Sequence, residues 1–271
     1  MAHAHIGVSG WRYRNWRGDF YPRGLRQADE LAYLAERVTS AEVNGSFYSL
    51  QRPSSYRSWR EAVPEGFVFA VKGGRFITHL LQLRGVETAL ANFFASGVLA
   101  LEDALGPLLW QLPGRMAYDA GRLAEFFDLL PRSTAAAAEL AARHDAHVPE
   151  DRALTVAAVD RPLLHAVEPR HESFDSPDAR ALFERHGISM VLSDSAGAWP
   201  AVDADTAGFR YVRLHGETEL YRGGYSEASL DRWAGRVAEW LSSGHDSYVY
   251  FDNDADGRAP HDAVSLLARL V

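Results

Sequence analysis

Short apolar runs rich in β-branched and aromatic residues recur along the whole chain, and most stop at a polar or glycine-containing segment. They are Ile6–Ser9, Ala41–Phe47, Phe67–Lys72, Pro107–Leu112, Leu163–Arg170, Ile188–Asp194, Phe209–His215 and Tyr248–Asn253. Helix-like stretches separate them, among them Ala28–Arg37, Arg122–Leu130, Asp178–His186 and Leu230–Leu241. Strand and helix that alternate to the end imply a parallel sheet. Eight such units most economically close on themselves, so the expected fold is α/β: a single (β/α)8 barrel over residues 1–271 with a parallel eight-stranded core. The widest gap, Pro113 to Pro162, holds an alanine-rich run, Ala135–Ala138, which predicts an extra helix between strands 4 and 5. The length of 271 residues agrees, at about 34 per unit in a fold that typically takes roughly 250.

Side chains alternate across a strand, so fixing one residue inward places its neighbours. In the second strand Glu42, Asn44 and Ser46 then share a face opposite Val43 and Phe47. In the third, Val68, Ala70 and Lys72 fall together, and the bulky Phe67, Phe69 and Val71 take the helix side. Ala166, Glu168 and Arg170 align in the fifth strand and Tyr211, Arg213 and His215 in the seventh, while Gln111, Asp194 and Asn253 end the fourth, sixth and eighth. These polar groups sit late in their strands, where the loops of a barrel converge to build active sites. A satisfied polar layer with no chemistry would leave the same pattern.

Lys72 is the only lysine among 28 basic residues. Arginine keeps its proton, whereas a desolvated lysine can release it and act as base, acid or Schiff-base nucleophile. The plainer alternative is a point charge paired with Glu42 or Glu168. Glu42, Glu168, Asp194 and His215 would also make an oxygen and nitrogen ligand set for a divalent ion. Lys72, Arg170 and Arg213 share their register and balance three carboxylates with three cations. The expectation is therefore a site without metal or cofactor, suited to a polar, anionic ligand.

Composition bounds the function classes. A chain that is 47% hydrophobic and 24% charged can bury a sizeable core, and no apolar run approaches the length of a membrane helix. Met1 to Gly10 lacks the basic-then-apolar pattern of a signal peptide, so a cytoplasmic location is expected. The absence of cysteine excludes disulfides, a thiol nucleophile, a zinc ribbon and a cysteine-ligated cluster. Net charge is −8, which argues against broad non-specific binding to nucleic acid. The charge is uneven, however: residues through Arg84 carry 12 basic and 7 acidic groups, the remainder 16 and 29.

The run Trp11-Arg12-Tyr13-Arg14-Asn15-Trp16-Arg17 lies in the basic part, and Tyr48, Arg52, Tyr56 and Arg57 continue its mixture of rings and cations. Flat rings beside guanidinium groups suit single-stranded nucleic acid or a phosphosugar. The alternative is a structural loop whose tryptophans cover the barrel rim. Gly73-Gly74-Arg75 would let backbone amides approach an anion, and His79 beyond that turn is either a mouth residue or a structural histidine beside Ile77 and Leu80. Asp252, Asp254, Asp256 and Gly257 imitate the start of a calcium loop, but Ala263 occupies the twelfth position and a strand precedes it.

At these residues the chain closely resembles the YecE-like family, known as domain of unknown function 72. The resemblance rests on Ile6-Gly7-Val8-Ser9-Gly10-Trp11 with Trp16 and Phe20-Tyr21-Pro22, on Glu42-Val43-Asn44 with Phe47-Tyr48, and on Phe69-Ala70-Val71-Lys72 with Thr78-His79. It continues through Gln111-Leu112-Pro113, Glu168 with Arg170-His171, Tyr211-Val212-Arg213-Leu214-His215-Gly216, and Tyr250-Phe251 with Asn253. It implies a TIM barrel and no established reaction. Likeness of such barrels to metal-dependent apurinic endonucleases and sugar isomerases points to DNA or sugar substrates by fold analogy alone. Phe174, Asp252 and Asp262 depart from the family pattern, and the two aspartates count against a phosphate at the rim of the eighth strand.

The leading expectation is an enzyme of hydrolase or isomerase type acting on a sugar-phosphate or nucleotide-like ligand at the barrel mouth. Glu168 or Glu42 would be the base and Lys72 or His215 the acid, with Asp194 in the same catalytic set. Arg213 and Arg170 would hold the anionic group, with Trp11, Tyr13, Asn44, Tyr48, His79, Gln111, His171 and Asn253 as further ligand contacts. The competing expectation is a non-catalytic barrel whose Trp11 to Arg17 loop stacks on nucleic acid bases.

Overall fold

The computed structural model describes residues 1–270. Its parallel strands are β1 Ala4–Ser9, β2 Ser40–Val43, β3 Val68–Lys72, β4 Leu105–Gln111, β5 His165–Glu168, β6 Ser189–Met190, β7 Leu192–Ser195, β8 Phe209–Gly216 and β9 Asp246–Phe251. They form one sheet in the order β6-β5-β4-β3-β2-β1-β9-β8-β7. Its two outer members, β6 and β7, are separated in the chain by Val191 alone. They are the halves of one stave, so the nine strands build a nearly closed eight-stave TIM barrel, as the alternation predicts. At the division Met190 N–H turns away from the ladder to the Thr206 hydroxyl at 2.9 Å, while the next amide, Val191, still bonds Val167 O of β5 at 2.9 Å.

Of the strands that end before their apolar runs do, β2 and β5 move candidate residues off the sheet. β2 ends at Val43 because Asn44 turns into the αR region (φ −90°, ψ −20°) and α2, Gly45–Tyr48, begins there. Asn44 and Ser46 thus do not continue the strand face of Glu42. Ser46 Oγ instead donates to Val43 O (3.0 Å) and Lys72 O (2.6 Å), tying together the ends of β2 and β3. β5 stops at Glu168, which leaves Arg170 in the loop beyond.

The other helices are α1 Glu30–Ala35, α3 Pro53–Glu61, α4 Glu87–Ala95, α5 Ala120–Leu129, α6 Thr134–Ala141, α7 Pro177–Arg185, α8 Glu227–Ser242 and α9 Ala259–Leu267. Side-chain oxygens of Asp119, Ser133, Ser176 and Ser226 cap α5, α6, α7 and α8, satisfying amides that have no partner inside a helix. The alanine-rich run forms α6, the extra helix expected between the fourth and fifth strands. Among the described residues no helix is long and apolar enough to cross a membrane.

Apolar packing divides into two bodies. The larger lies between sheet and helices, where Phe69, Val71, Val167 and Leu214 meet Phe93, Phe126 and Val237. The smaller fills the lumen with Ala70, Leu109, Ala166, Tyr211, Tyr248 and Tyr250. The inward register of the third, fifth and seventh runs is therefore as the alternation predicts, and the polar groups sit one layer above this plug.

Close strand contact sets a first test. A Cβ on Gly7 of β1 would stand 1.9 Å from Ser40 O of β2, so Gly7→Ala must push that ladder apart. The expected loss is about 1–3 kcal/mol, as for other overpacked cores, seen as a lower urea midpoint at unchanged slope.

Candidate active site

The floor of the mouth is a buried charge cluster built from four staves. Arg213 on β8 is fully buried. Its Nε and Nη2 donate to Glu42 on β2 at 3.1 and 2.8 Å, and its Nη1 donates to Glu168 on β5 at 2.9 Å. Nη2 also donates to Ser9 Oγ at 2.7 Å and to Asp252 Oδ2 at 3.1 Å. Glu42 takes two more donors, Ser9 Oγ at 2.5 Å and Tyr211 OH at 2.7 Å. Glu168 accepts from His215 Nε2 (2.8 Å), Ser193 Oγ (3.1 Å) and Arg170 Nη2 (3.2 Å). Burial alone would raise the Glu168 carboxyl, but Arg170, Arg213 and His215 hold it well below the usual carboxylate range. Asp252 is likewise pushed up by burial and drawn down by Arg213 and His215, to about 2.

This saturation corrects the expected roles of several residues. Glu42 and Glu168 are fully buried and fully partnered, so neither is a free base. Arg213 is held by Glu42, Glu168, Ser9 and Asp252, so its role is to fix them even though it borders the cavity above. His215 is enclosed between Glu168 and Asp252 Oδ2, the latter 2.9 Å from Nδ1 but out of line for a hydrogen bond. These four residues support the mouth from below.

Above them opens a polar cavity of about 640 Å³. Lys72, at the end of β3, reaches it with its ammonium 4.4 Å above the Phe47 ring. No hydrogen bond or ion pair holds that ammonium among the described residues; Glu42, Glu168 and Asp252 act on it only through space. Burial, reinforced by the Arg213 charge, lowers it to about 8. His79 faces the same space, its Nδ1 2.9 Å from Thr78 Oγ1 and its ring edge-on to Phe47. Burial, Lys72 and Arg170 depress it to about 4, so it is a neutral imidazole at pH 7. Asn44, Gln111, Tyr13 and Arg170 complete the wall. Asn44 Nδ2 donates to Ser9 Oγ (2.8 Å) and Tyr13 OH to Ser9 O (2.6 Å), and the Arg170 guanidinium carbon stands 4.0 Å over the Trp199 ring.

Four expected residues do not line this cavity. Asp194 is one position out of register: Ser193 points inward to Glu168, and Asp194 turns toward Tyr225 and Trp233 on the helix side. Asn253 likewise faces outward and holds Asp262 of α9 at 2.8 Å, while Asp252 takes the inward place. Trp11 is buried against Trp59 and Phe69, and Trp16 is fully buried, so the aromatic loop is mainly a cover for the core. His171 caps the turn Glu172–Phe174 through the Ser173 amide and lies outside the cavity. Tyr48 remains at the rim, 73% exposed. With Asp194 outside, the proposed divalent-ion ligand set does not converge, and among the described residues no other acidic or histidine group gathers as one.

Sequence reasoning missed Asp252, Asp254 and Tyr221. Parity held the signal for the first: Tyr248 and Tyr250 point into the lumen, so Asp252 follows them. Asp254 is a buried carboxyl bordering the cavity, and burial together with the Asp252 charge raises it well above the usual range. Tyr221 reaches the mouth from a loop, with its hydroxyl 3.5 Å from Arg170 Nη1.

A parallel barrel with a polar, charge-balanced mouth at the C-terminal ends of its strands has the architecture of TIM-barrel enzymes. The chain belongs to the family described as protein of unknown function DUF72, which matches residues 5–271. A DUF72 family protein from Thermotoga maritima is 25% identical, with a TM-score of 0.77 over 99% of each chain. One from Enterococcus faecalis is 16% identical, with a TM-score of 0.74 over 98% of this chain and 95% of that one. D-psicose 3-epimerase from Clostridium cellulolyticum, 10% identical, shares the fold at a TM-score of 0.50 over 100% of this chain and 98% of its own. Among curated proteins none matches this chain.

Two outcomes test the cluster. Arg213→Met strands Glu42 and Glu168 without a cation and is expected to cost about 3–5 kcal/mol in urea unfolding at pH 7, part of which Glu42→Gln and Glu168→Gln should restore. Asp252 binds its proton less readily folded than unfolded, so its stabilising share is complete above the unfolded value near 4. That share should fade as pH falls toward 2 and be missing in Asp252→Asn.

Proposed function

We propose that this barrel is an enzyme that moves a proton on a small, polyhydroxylated anionic ligand of the sugar-phosphate kind, with Lys72 as the proton-transferring group. The observation that carries this reading is the unpaired, desolvated ammonium of Lys72 at the cavity, brought to about 8. An amine so placed exchanges its proton near neutral pH, which is what acid and base catalysis needs. At pH 7 Lys72 is mostly the acid, and the neutral imidazole of His79 on the same wall is available as an acceptor. Arg170, braced by Trp199 and Glu168, and the exposed Arg75 supply positive charge for the anionic group. Asn44 and Gln111 offer neutral amides to hydroxyl groups. The nucleic-acid alternative keeps Tyr13 and Tyr48 as ring surfaces but loses Trp11 and Trp16 to the core.

Since Lys72 is the only lysine, an amine-specific acylating reagent read by peptide mass spectrometry reports it separately from the N-terminus. Its labelling rate should be half-maximal near pH 8; a midpoint near that of an ordinary lysine would remove the basis of the proposal. For the reaction, a panel of aldose and ketose phosphates in D₂O should show enzyme-dependent deuterium uptake at carbon by NMR. Lys72→Arg should lower the exchange about 100-fold or more. Exchange at the wild-type rate in that variant would exclude the amine.

A further inference from the structure

Beside the polar cavity lies a second one of about 610 Å³ with a different lining. Phe47, Leu50, Phe76, Ile77, Leu81 and Phe93 make it largely apolar. The two spaces share Phe47, Tyr48 and Arg75, so they meet along one edge of the mouth. Large apolar side chains in the open are otherwise few. Tyr48, Leu50, Phe76 and Leu80 are 73, 40, 54 and 59% exposed, and Met1, Val156 and Val159 are the only others among the described residues. Four of seven in two neighbouring segments is a patch and not the usual scatter.

The segment bearing Phe76 and Leu80 is irregular. Phe76–Leu80 is a single π-helical turn, and Gln82 and Leu83 follow it with φ of 50° and 68°. Single π turns and left-handed non-glycine residues cost energy and tend to occur where a site needs them. Here they leave the Phe76 ring exposed at the lip of the apolar space and place His79 of the same turn at the polar one.

We propose that the two cavities bind one amphiphilic small molecule: an anionic polar head beside Lys72 and Arg170, joined to an apolar substituent, a short alkyl chain or an aromatic ring, lying over Phe47 and Phe76. The proposal rests on the reading of the polar cavity as an anion site and names the class of compound that site takes. Concavity favours a small molecule over a protein surface, because each space falls in the range of about 300–1,000 Å³ usual for such ligands. Arg75 at the junction places a cation where the head meets the tail, which favours an anionic head group over a neutral one. Phe47 serves both halves, with one side under the Lys72 ammonium and its ring perpendicular to that of His79.

Calorimetric titration of the full chain with inorganic phosphate, butyl phosphate and hexyl phosphate tests this directly. Affinity should rise with chain length by about fourfold per methylene buried. Thr88→Trp fills the apolar space from an exposed position on α4, and Phe76→Ser trims its lip. Either variant should bring hexyl phosphate back toward inorganic phosphate while leaving inorganic phosphate unchanged. Lys72→Met should weaken all three ligands alike. Equal affinity for the three ligands overturns the proposal and leaves the anion site standing. A chain-length gain that survives both variants also overturns it, since the tail must then lie elsewhere. Failure of every phosphate to bind removes the anion site itself. Sedimentation that shows a dimer dissolved by Phe76→Ser would assign the apolar face to a second copy of the chain and overturn the proposal as well.

Discussion

The structure turns on the ion pairing of Arg213 with Glu42 and Glu168 inside the lumen. A guanidinium withdrawn from water, or a carboxylate left there alone, costs several kcal/mol. None of the three residues is tolerable without the others, and they come from β8, β2 and β5, on different sides of the ring. Closing the barrel is therefore a condition for neutralising the cluster, and neutralising the cluster favours one relative placement of these staves. The tyrosine and alanine plug below gives apolar burial in any register that fills the space; the charged layer is the part that accepts only one.

The contrast between Arg213 and Lys72 follows from the same layer. Both are cations held out of water near the same three carboxylates. Arg213 meets them with directed bonds and stays charged, as its guanidinium chemistry requires. Lys72 stands higher, over a phenylalanine ring, and feels the carboxylates at a distance that does not repay its lost hydration. A group that is poorly compensated is a group that titrates. The floor draws part of its charge balance from the cations above it: Arg170 pairs with Glu168 and Lys72 faces all three carboxylates, so an anion entering the mouth meets cations already shared with the floor, together with the exposed Arg75.

Much of this was legible in the sequence where periodicity spoke. Eight apolar runs gave the staves, and inward parity placed Ala70 with Lys72, Ala166 with Glu168, and Tyr211 with Arg213. Parity also held the places of Ser193 and Asp252. Asp194 and Asn253 carry the more reactive-looking chemistry at the ends of their runs but stand one residue out of phase with the lumen. Alternation could not tell a saturated carboxylate from a free one: whether Glu168 is a base depends on donors at positions 170, 193, 213 and 215, brought to it by three-dimensional closure. The Trp11 to Arg17 loop carried composition without direction, and burial decided for the core. Asp254 and Tyr221 lie in loops, where no period announces which way a side chain turns.

The broken sixth stave gives the ring an uneven compliance. Each half of it is laddered to one neighbour, β6 to β5 and β7 to β8, whereas β1 and β2 are laddered on both flanks. Opening a strand costs roughly the bonds it must release, so thermal breathing concentrates where the ladder is thinnest. Ser193, which touches Glu168, sits on that stave, and Trp199, which backs Arg170, is on the loop leaving it. Glu42 stands across the lumen among fully laddered staves. The charge cluster is thus supported unevenly: Glu42 stands among staves laddered on both flanks, whereas Glu168, itself laddered to β4 and β6, takes its Ser193 donor from the divided stave.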